Sequence, residues 1–319
     1  MSEQKPTDRL AYNGNLEPVI NRLCEAYGVG TPTGSSVIEV GYEDCNVVLE
    51  TKQDKYLAKM FAKTRTAEDI QRYATTMQKV VEAGVNHPEL LTAGNGEVTY
   101  IDSGITLVLM RFVEGKTFFE LDRAADAEER KAVLEQAAKV NGIDYKPDYL
   151  FDSWAIPNIR AMFNKVRQFI EPDDLKLVEQ AMAGYEAIPV DDLPHCFVHG
   201  DFTKTNVLKG NDGKTYILDF SVANWYPRIQ ELAVIAANLL HDDSDSSSLE
   251  DRCIQVSNEY SQFNALTDEE RRHLPAYALA GVAMEFMGAH QEKHINGNET
   301  DETDYWLKLG REGLRKALK

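Results

Sequence analysis

The stretch "CFVHGDFTKTNVLKGNDGKTYILDFSVANW", Cys196 to Trp225, sets two aspartates, an asparagine and a histidine inside two apolar runs split by a turn. A carboxylate beside a hydrophobic strand is costly to bury unless something pairs with it. Asn211-Asp212-Gly213-Lys214 is a turn sequence between "NVLKG" and "TYILDF", so the two runs are predicted to fold back as a hairpin. A four-residue loop joining Gly210 to Thr215 would set Asn206 directly across from Asp219, with Cβ atoms about 5 Å apart on one face. An amide oxygen and a carboxylate so placed are a pair of hard ligands. Mg²⁺ takes such oxygens, keeps waters, and is usually held by one or two side chains plus substrate phosphates. Asp201, on the loop entering the hairpin, can reach the same end without competing for the metal, where it could orient a nucleophile and accept its proton. Taken singly, Asn206 and Asp219 are also what ends a surface hairpin. The offset of Asp201 and the apolar "YIL" leading into Asp219 favour the site.

Composition narrows the partners. The 319 residues suit one large domain or two medium ones, and 43% hydrophobic with 27% charged residues is ordinary for a chain with a real core. Asp plus Glu number 52 against 34 Lys plus Arg, a formal charge of −18 that repels nucleic acid and anionic membranes. The four cysteines, Cys24, Cys45, Cys196 and Cys253, form no C-x-x-C pair and no zinc-spaced cluster with histidine, the pattern of thiols in a reducing compartment. "MSEQKPTDRL" has no apolar core and no stretch approaches membrane-spanning length, so a cytoplasmic protein is expected.

Along the chain, Asn15 to Tyr27 carries apolar residues at one-face helical spacing, stopped by Gly28. "SVIEV" (36–40) and "NVVLET" (46–51) flank Gly41–Cys45 as strands, and "QDK" turns the chain into "YLAKMF". Thr66 is a predicted N-cap for a helix through Val81, closed by Gly84. "EVTYID" and "ITLVLM" form a further hairpin, and from Glu120 onward the pattern is mostly helical, except for the opening stretch. His241 to Ser248, "HDDSDSSS", is expected to be a solvated loop. The expected class is α+β in two lobes: residues 1–112, an antiparallel sheet plus helix, and 113–319, mainly helical with the hairpin.

H-G-D-x-x-x-x-N (His199, Gly200, Asp201, Asn206) followed by I-L-D-F (Ile217 to Phe220) resembles the aminoglycoside phosphotransferase and choline kinase superfamily. These are small-molecule kinases of the protein-kinase-like fold. The resemblance implies ATP and Mg²⁺, with Asp201 as catalytic base, Asn206 and Asp219 on magnesium, and His199 bracing the catalytic loop. Lys59, with Leu57 and Phe61 on its strand face, is expensive among apolar neighbours unless it meets an anion. By resemblance it is the nucleotide lysine on the α- and β-phosphates, with Leu57 in the adenine ceiling. Gly41 lies in the matching loop over the phosphates, which lacks G-x-G-x-x-G. "LVLMRFVEG" resembles the hinge, with Met110 at the back and the Arg111 carbonyl and Val113 N–H meeting adenine.

The family's helix glutamate is missing: residues 73–75 read Tyr-Ala-Thr, and Glu68 is the possible substitute. Glu231 in "PRIQELA" stands where the family usually has D-L-A. By the same resemblance the expected acceptor is a small molecule bearing a hydroxyl, such as an amino alcohol, aminoglycoside or amino sugar, with Glu285 as a candidate contact. A protein acceptor, or a nucleotide-binding module without turnover, are the alternatives.

Overall fold

A computed structural model of the chain describes residues 5–39, 41–242 and 247–318. It divides into two compact units, Ser2–Gln78 with His87–Glu114, and Lys79–Asn86 with Gly115–Lys319. Residues 113 and 114, beyond the expected boundary, stay with the first unit.

The first unit opens with α1 (Glu17–Tyr27), which ends where Gly28 adopts φ 65° and donates to the carbonyls of Cys24 and Glu25. Five antiparallel strands follow: β1 (Pro32–Val37), β2 (Cys45–Thr51), β3 (Lys55–Met60), β4 (Thr99–Asp102) and β5 (Ile105–Arg111), in the order β1-β2-β3-β5-β4. Alternation buries one face of the sheet. Cys45, Val47 and Leu49, then Tyr56, Ala58 and Met60, then Ile105, Leu107 and Leu109 form one core with Val19, Ile20, Leu23 and Cys24 of α1. The helix α2 (Ala67–Glu82) begins at a reciprocal cap in which Asp69 N–H donates to Thr66 Oγ1 and Thr66 N–H to Asp69 Oδ2.

The first strand is displaced from the expected Ser36–Val40: it runs Pro32–Val37 at the edge of the sheet, with Thr33 to Ser36 exposed. An edge strand buries too little to leave a period-two signature in its own sequence. Val40 lies outside the described residues.

The second unit holds β6 (Gly115–Thr117), α3 (Phe118–Leu121), α4 (Ala127–Asn141), α5 (Ile159–Val166) and α6 (Pro172–Glu186). Next come β7 (His195–Val198), β8 (Val207–Gly210), β9 (Thr215–Ile217) and β10 (Asn224–Pro227). The chain closes with α7 (Ile229–Val234), α8 (Leu249–Tyr260), α9 (Asp268–Gln291) and α10 (Asp301–Ala317). Strands β6, β8 and β9 form one antiparallel sheet, and β7 pairs with β10. The α9 helix is apolar all round and nearly all buried from Tyr277 to Gln291, as a helix at the centre of a bundle must be. Among the described residues no helix is long and apolar enough to cross a membrane.

The predicted hairpin between β8 and β9 is present, but its register is one residue tighter than expected. Val207 pairs with Ile217 and Lys209 with Thr215, and Gly210 N–H donates to Lys214 O at 2.8 Å. The loop is therefore three residues, closed by Gly213 at φ 84°, a left-handed position that glycine adopts at least cost. Asn206 thus faces Leu218, whose N–H donates to the Asn206 carbonyl at 2.8 Å, and Asp219 lies two residues past the last ladder pair, Val207 with Ile217. Of the expected solvated loop, residues 243–246 lie outside the described residues, whereas His241 is buried.

Candidate active site

The turn that carries Asp201 is built from the buried run Phe197-Val198 upward. His199 is fully buried, ring edges of Phe202 and Phe220 close on it, and Gly200 takes φ 88°. The His199 Nε2–H donates to the Leu218 carbonyl at 2.8 Å, so Nδ1 keeps its lone pair and accepts the Asp201 N–H at 3.0 Å. Burial lowers the pKa of this ring to about 4, which suits the neutral tautomer the two bonds require. Beneath it the Glu231 carboxylate, also fully buried, accepts the N–H groups of His199 and Gly200. Burial pushes Glu231 up to about 8, and those N–H bonds oppose the rise. Glu231 is thus a prop for the loop, in line with its family position.

Asn206 Nδ2 donates to Asp201 Oδ2 at 2.5 Å and to the Asp201 carbonyl at 3.2 Å. The amide's oxygen is the atom left out of that contact. Asp219 sits at φ 57°, strained for a residue with a Cβ, and is fixed there by Ser221, whose N–H and Oγ–H both donate to Oδ1. This pair belongs to no group of three or more His, Cys, Asp or Glu side chains fit to hold a metal among the described residues. Two oxygen donors are a partial shell, which suits Mg²⁺ that keeps waters and phosphate oxygens rather than zinc or calcium in a full protein cage.

Glu285 projects from α9 into the same unit. Asn238, in the π-helical segment Ile235–Leu239 that continues α7, donates from Nδ2 to Glu285 Oε1 at 2.6 Å, while its own Oδ1 accepts the Lys204 N–H at 2.8 Å. Glu285 Oε2 is buried with no partner. Burial raises the Glu285 pKa to about 7, and nearby Asp201 adds to the rise. Asn238 was not anticipated, although a lone amide in the apolar run "AANLL" is a signal that could have found it.

In the first unit, Lys59 meets its anion. Nζ lies 3.2 Å from Asp44 Oδ2, with side-chain exposures of 4% and 1%, and stands 5.8 Å over the Tyr73 ring. The carboxylate beside Lys59 is Asp44, whereas Glu68, the expected substitute, is exposed. Leu57 pairs with Met110 across β3 and β5, half-buried and buried respectively. Arg111 is exposed, with its guanidinium on Glu89 and Asp54 and its N–H on the Glu89 carbonyl. Val113 follows the strand in irregular, half-buried chain, and Gly41 takes φ 103°. Gly41, Leu57, Lys59, Met110, Arg111 and Val113 thus belong to the first unit. His199, Asp201, Asn206, Asp219 and Glu285 belong to the second.

A family model described as "Phosphotransferase enzyme family" matches residues 35–266, which takes in both sets except Glu285. The chain belongs to this phosphotransferase family. Relatives of this family member include homoserine kinases from Rhodopseudomonas palustris (26% identical over 268 residues, 82% of this chain and 80% of the relative) and Rhizobium meliloti (24% over 279 residues, 86% and 84%). Among solved structures, spectinomycin phosphotransferase in complex with ADP and spectinomycin has a TM-score of 0.69 at 12% identity, covering 93% of this chain and 97% of that one. A microcompartment-associated aminopropanol kinase has 0.62 at 11%, covering 93% and 95%. The phosphotransferase is therefore a small-molecule kinase with a hydroxyl acceptor and a kinase-like α+β fold.

Proposed function

We propose that this phosphotransferase moves the γ-phosphoryl group of ATP to the hydroxyl of a small amine-bearing alcohol, with homoserine the first acceptor to try. The observation that carries the reading is the 2.5 Å contact between Asn206 Nδ2 and Asp201 Oδ2, which holds one carboxylate in place and supports reading it as a base beside an amide oxygen turned to a hard cation. Homoserine kinases among the relatives support the acceptor. Glu285, acidic and aimed into the unit that carries Asp201, supports an amine on it.

Asn206 and Asp219 would hold magnesium, which supplies charge neutralisation to the phosphates. Asp201 orients the acceptor hydroxyl and takes its proton as the oxygen bonds to the γ-phosphorus. The bond to the bridging oxygen breaks and ADP leaves. Lys59 would hold the α- and β-phosphates, and the Arg111 carbonyl and Val113 N–H would meet adenine, with Leu57 in its ceiling and Met110 at the back. Gly41 lets the loop after β1 turn over the phosphates. With four cysteines in no disulfide and an ATP-dependent reaction, the cytoplasm is the proposed location.

The test is transfer of labelled phosphate from ATP to homoserine, amino alcohols, amino sugars and aminoglycosides. Asp201→Asn is expected to lose about 10²- to 10⁴-fold in kcat while keeping nucleotide affinity. Wild-type turnover by that variant overturns the base assignment. An acceptor panel in which only amine-free alcohols are phosphorylated overturns the acceptor class.

A further inference from the structure

We infer that Asp44 is the positioning residue for the nucleotide lysine, an assignment that rests on the proposed role of Lys59. The stretch where the family carries its helix glutamate, residues 73–75, has no acidic residue, and its Tyr73 offers Lys59 a ring face and no charge. The charge comes instead from the residue just before β2. Asp44 Oδ2 lies 3.2 Å from Lys59 Nζ, and both side chains are almost fully buried. Removing two charges from water is tolerated only where geometry is good and the remaining lone pairs are satisfied.

Those conditions are met. Asp44 Oδ1 accepts the Ala62 N–H at 2.9 Å, just past the end of β3, the strand that carries Lys59. Arg65 Nη2 lies 3.5 Å from Oδ2, and Arg9 Nη1 donates to the Asp44 carbonyl at 3.2 Å. Asp44 is therefore held from four directions and is not a loop side chain free to swing. Strand pairing adds to the fixing, because Asn46 faces Lys59 across β2 and β3. A lysine has four rotatable side-chain bonds and makes a point-charge contact, so its ammonium must be placed by something else. Asp44 places it, from the chain leading into the neighbouring strand.

The experiment compares Asp44→Asn, Lys59→Met and the double variant. Asp44→Asn is expected to raise KM for ATP by about tenfold or more and to leave the acceptor KM unchanged, a split that general loosening does not produce. It leaves a buried lysine without its carboxylate and risks misfolding, whereas the double variant leaves no orphan charge. If Asp44 acts through Lys59, the double variant matches Lys59→Met alone. A further loss in the double variant overturns the inference. So does a lower ATP KM in Asp44→Asn, which would mark the carboxylate as a competitor of the phosphates. If Lys59→Met itself leaves ATP KM unchanged, the nucleotide-lysine reading fails and takes this inference with it. If Lys59→Met is impaired and Asp44→Asn is not, only the inference fails.

Discussion

His199 joins the Leu218 carbonyl, at 2.8 Å from Nε2, to the Asp201 N–H, at 3.0 Å from Nδ1. One neutral ring thus ties the backbone of the proposed base to the residue before the proposed metal carboxylate. His199→Leu keeps the volume and orphans both groups, each worth about 1–3 kcal/mol when buried. We expect a lower melting temperature and a kcat reduced by about tenfold or more. Steady-state kinetics beside thermal melts check this, and an unchanged kcat removes the ring from any positioning role.

Asp219→Ala should act on the metal-dependent part of nucleotide binding. Calorimetric titration with and without magnesium should find the gain from magnesium cut by about tenfold, with metal-free affinity little altered. Equal losses under both conditions would point to a collapsed turn rather than a lost ligand.

With Glu285 as counter-ion of the acceptor amine, its titration becomes visible. Burial raises its pKa to about 7, so the carboxylate is charged above that and protonated below. The acceptor's kcat/KM should therefore fall as pH drops from about 8 to 6, approaching about tenfold per unit on the acid side. Glu285→Gln should raise acceptor KM, flatten that limb and leave ATP KM alone. A limb that survives in the variant belongs to another group.

His290, on the buried face of α9, has both ring nitrogens buried without a partner. Burial lowers its pKa to about 4, so the unfolded chain binds the proton more readily than the folded one. Stability from this group is complete above the ordinary value near 6.5 and is lost as pH falls toward 4, on the order of 2 kcal/mol. His290→Leu removes that loss together with an unsatisfied polar group. Urea melts at neutral and acid pH should find the variant more stable at both, and more so in acid. Destabilisation at neutral pH would mean the ring packs better than leucine can.

How far the sequence reached depends on what kind of signal each feature leaves. Lys59 was legible as a lysine in need of an anion because strand alternation fixes its apolar neighbours. Its partner was not, since Asp44 lies in irregular chain whose side-chain direction follows no period. The hairpin was legible from Asn-Asp-Gly-Lys, yet its register was not. Whether the loop holds three residues or four depends on Gly213 taking a left-handed φ, and the same letters permit both. Glu285 could be read as a candidate contact, but Asn238, which orients it, reaches it across 47 residues of sequence. The edge strand β1, barely buried, left no alternation to read.

Where the partner of a kinase's lysine rides on a helix, moving that helix turns the enzyme on and off. Here Asp44, the proposed partner, is anchored to the Ala62 N–H just past the strand that carries the lysine, so a displaced α2 would cost the Tyr73 ring contact but not this ion pair. On this reading, a shift of α2 would not switch the enzyme through this pair.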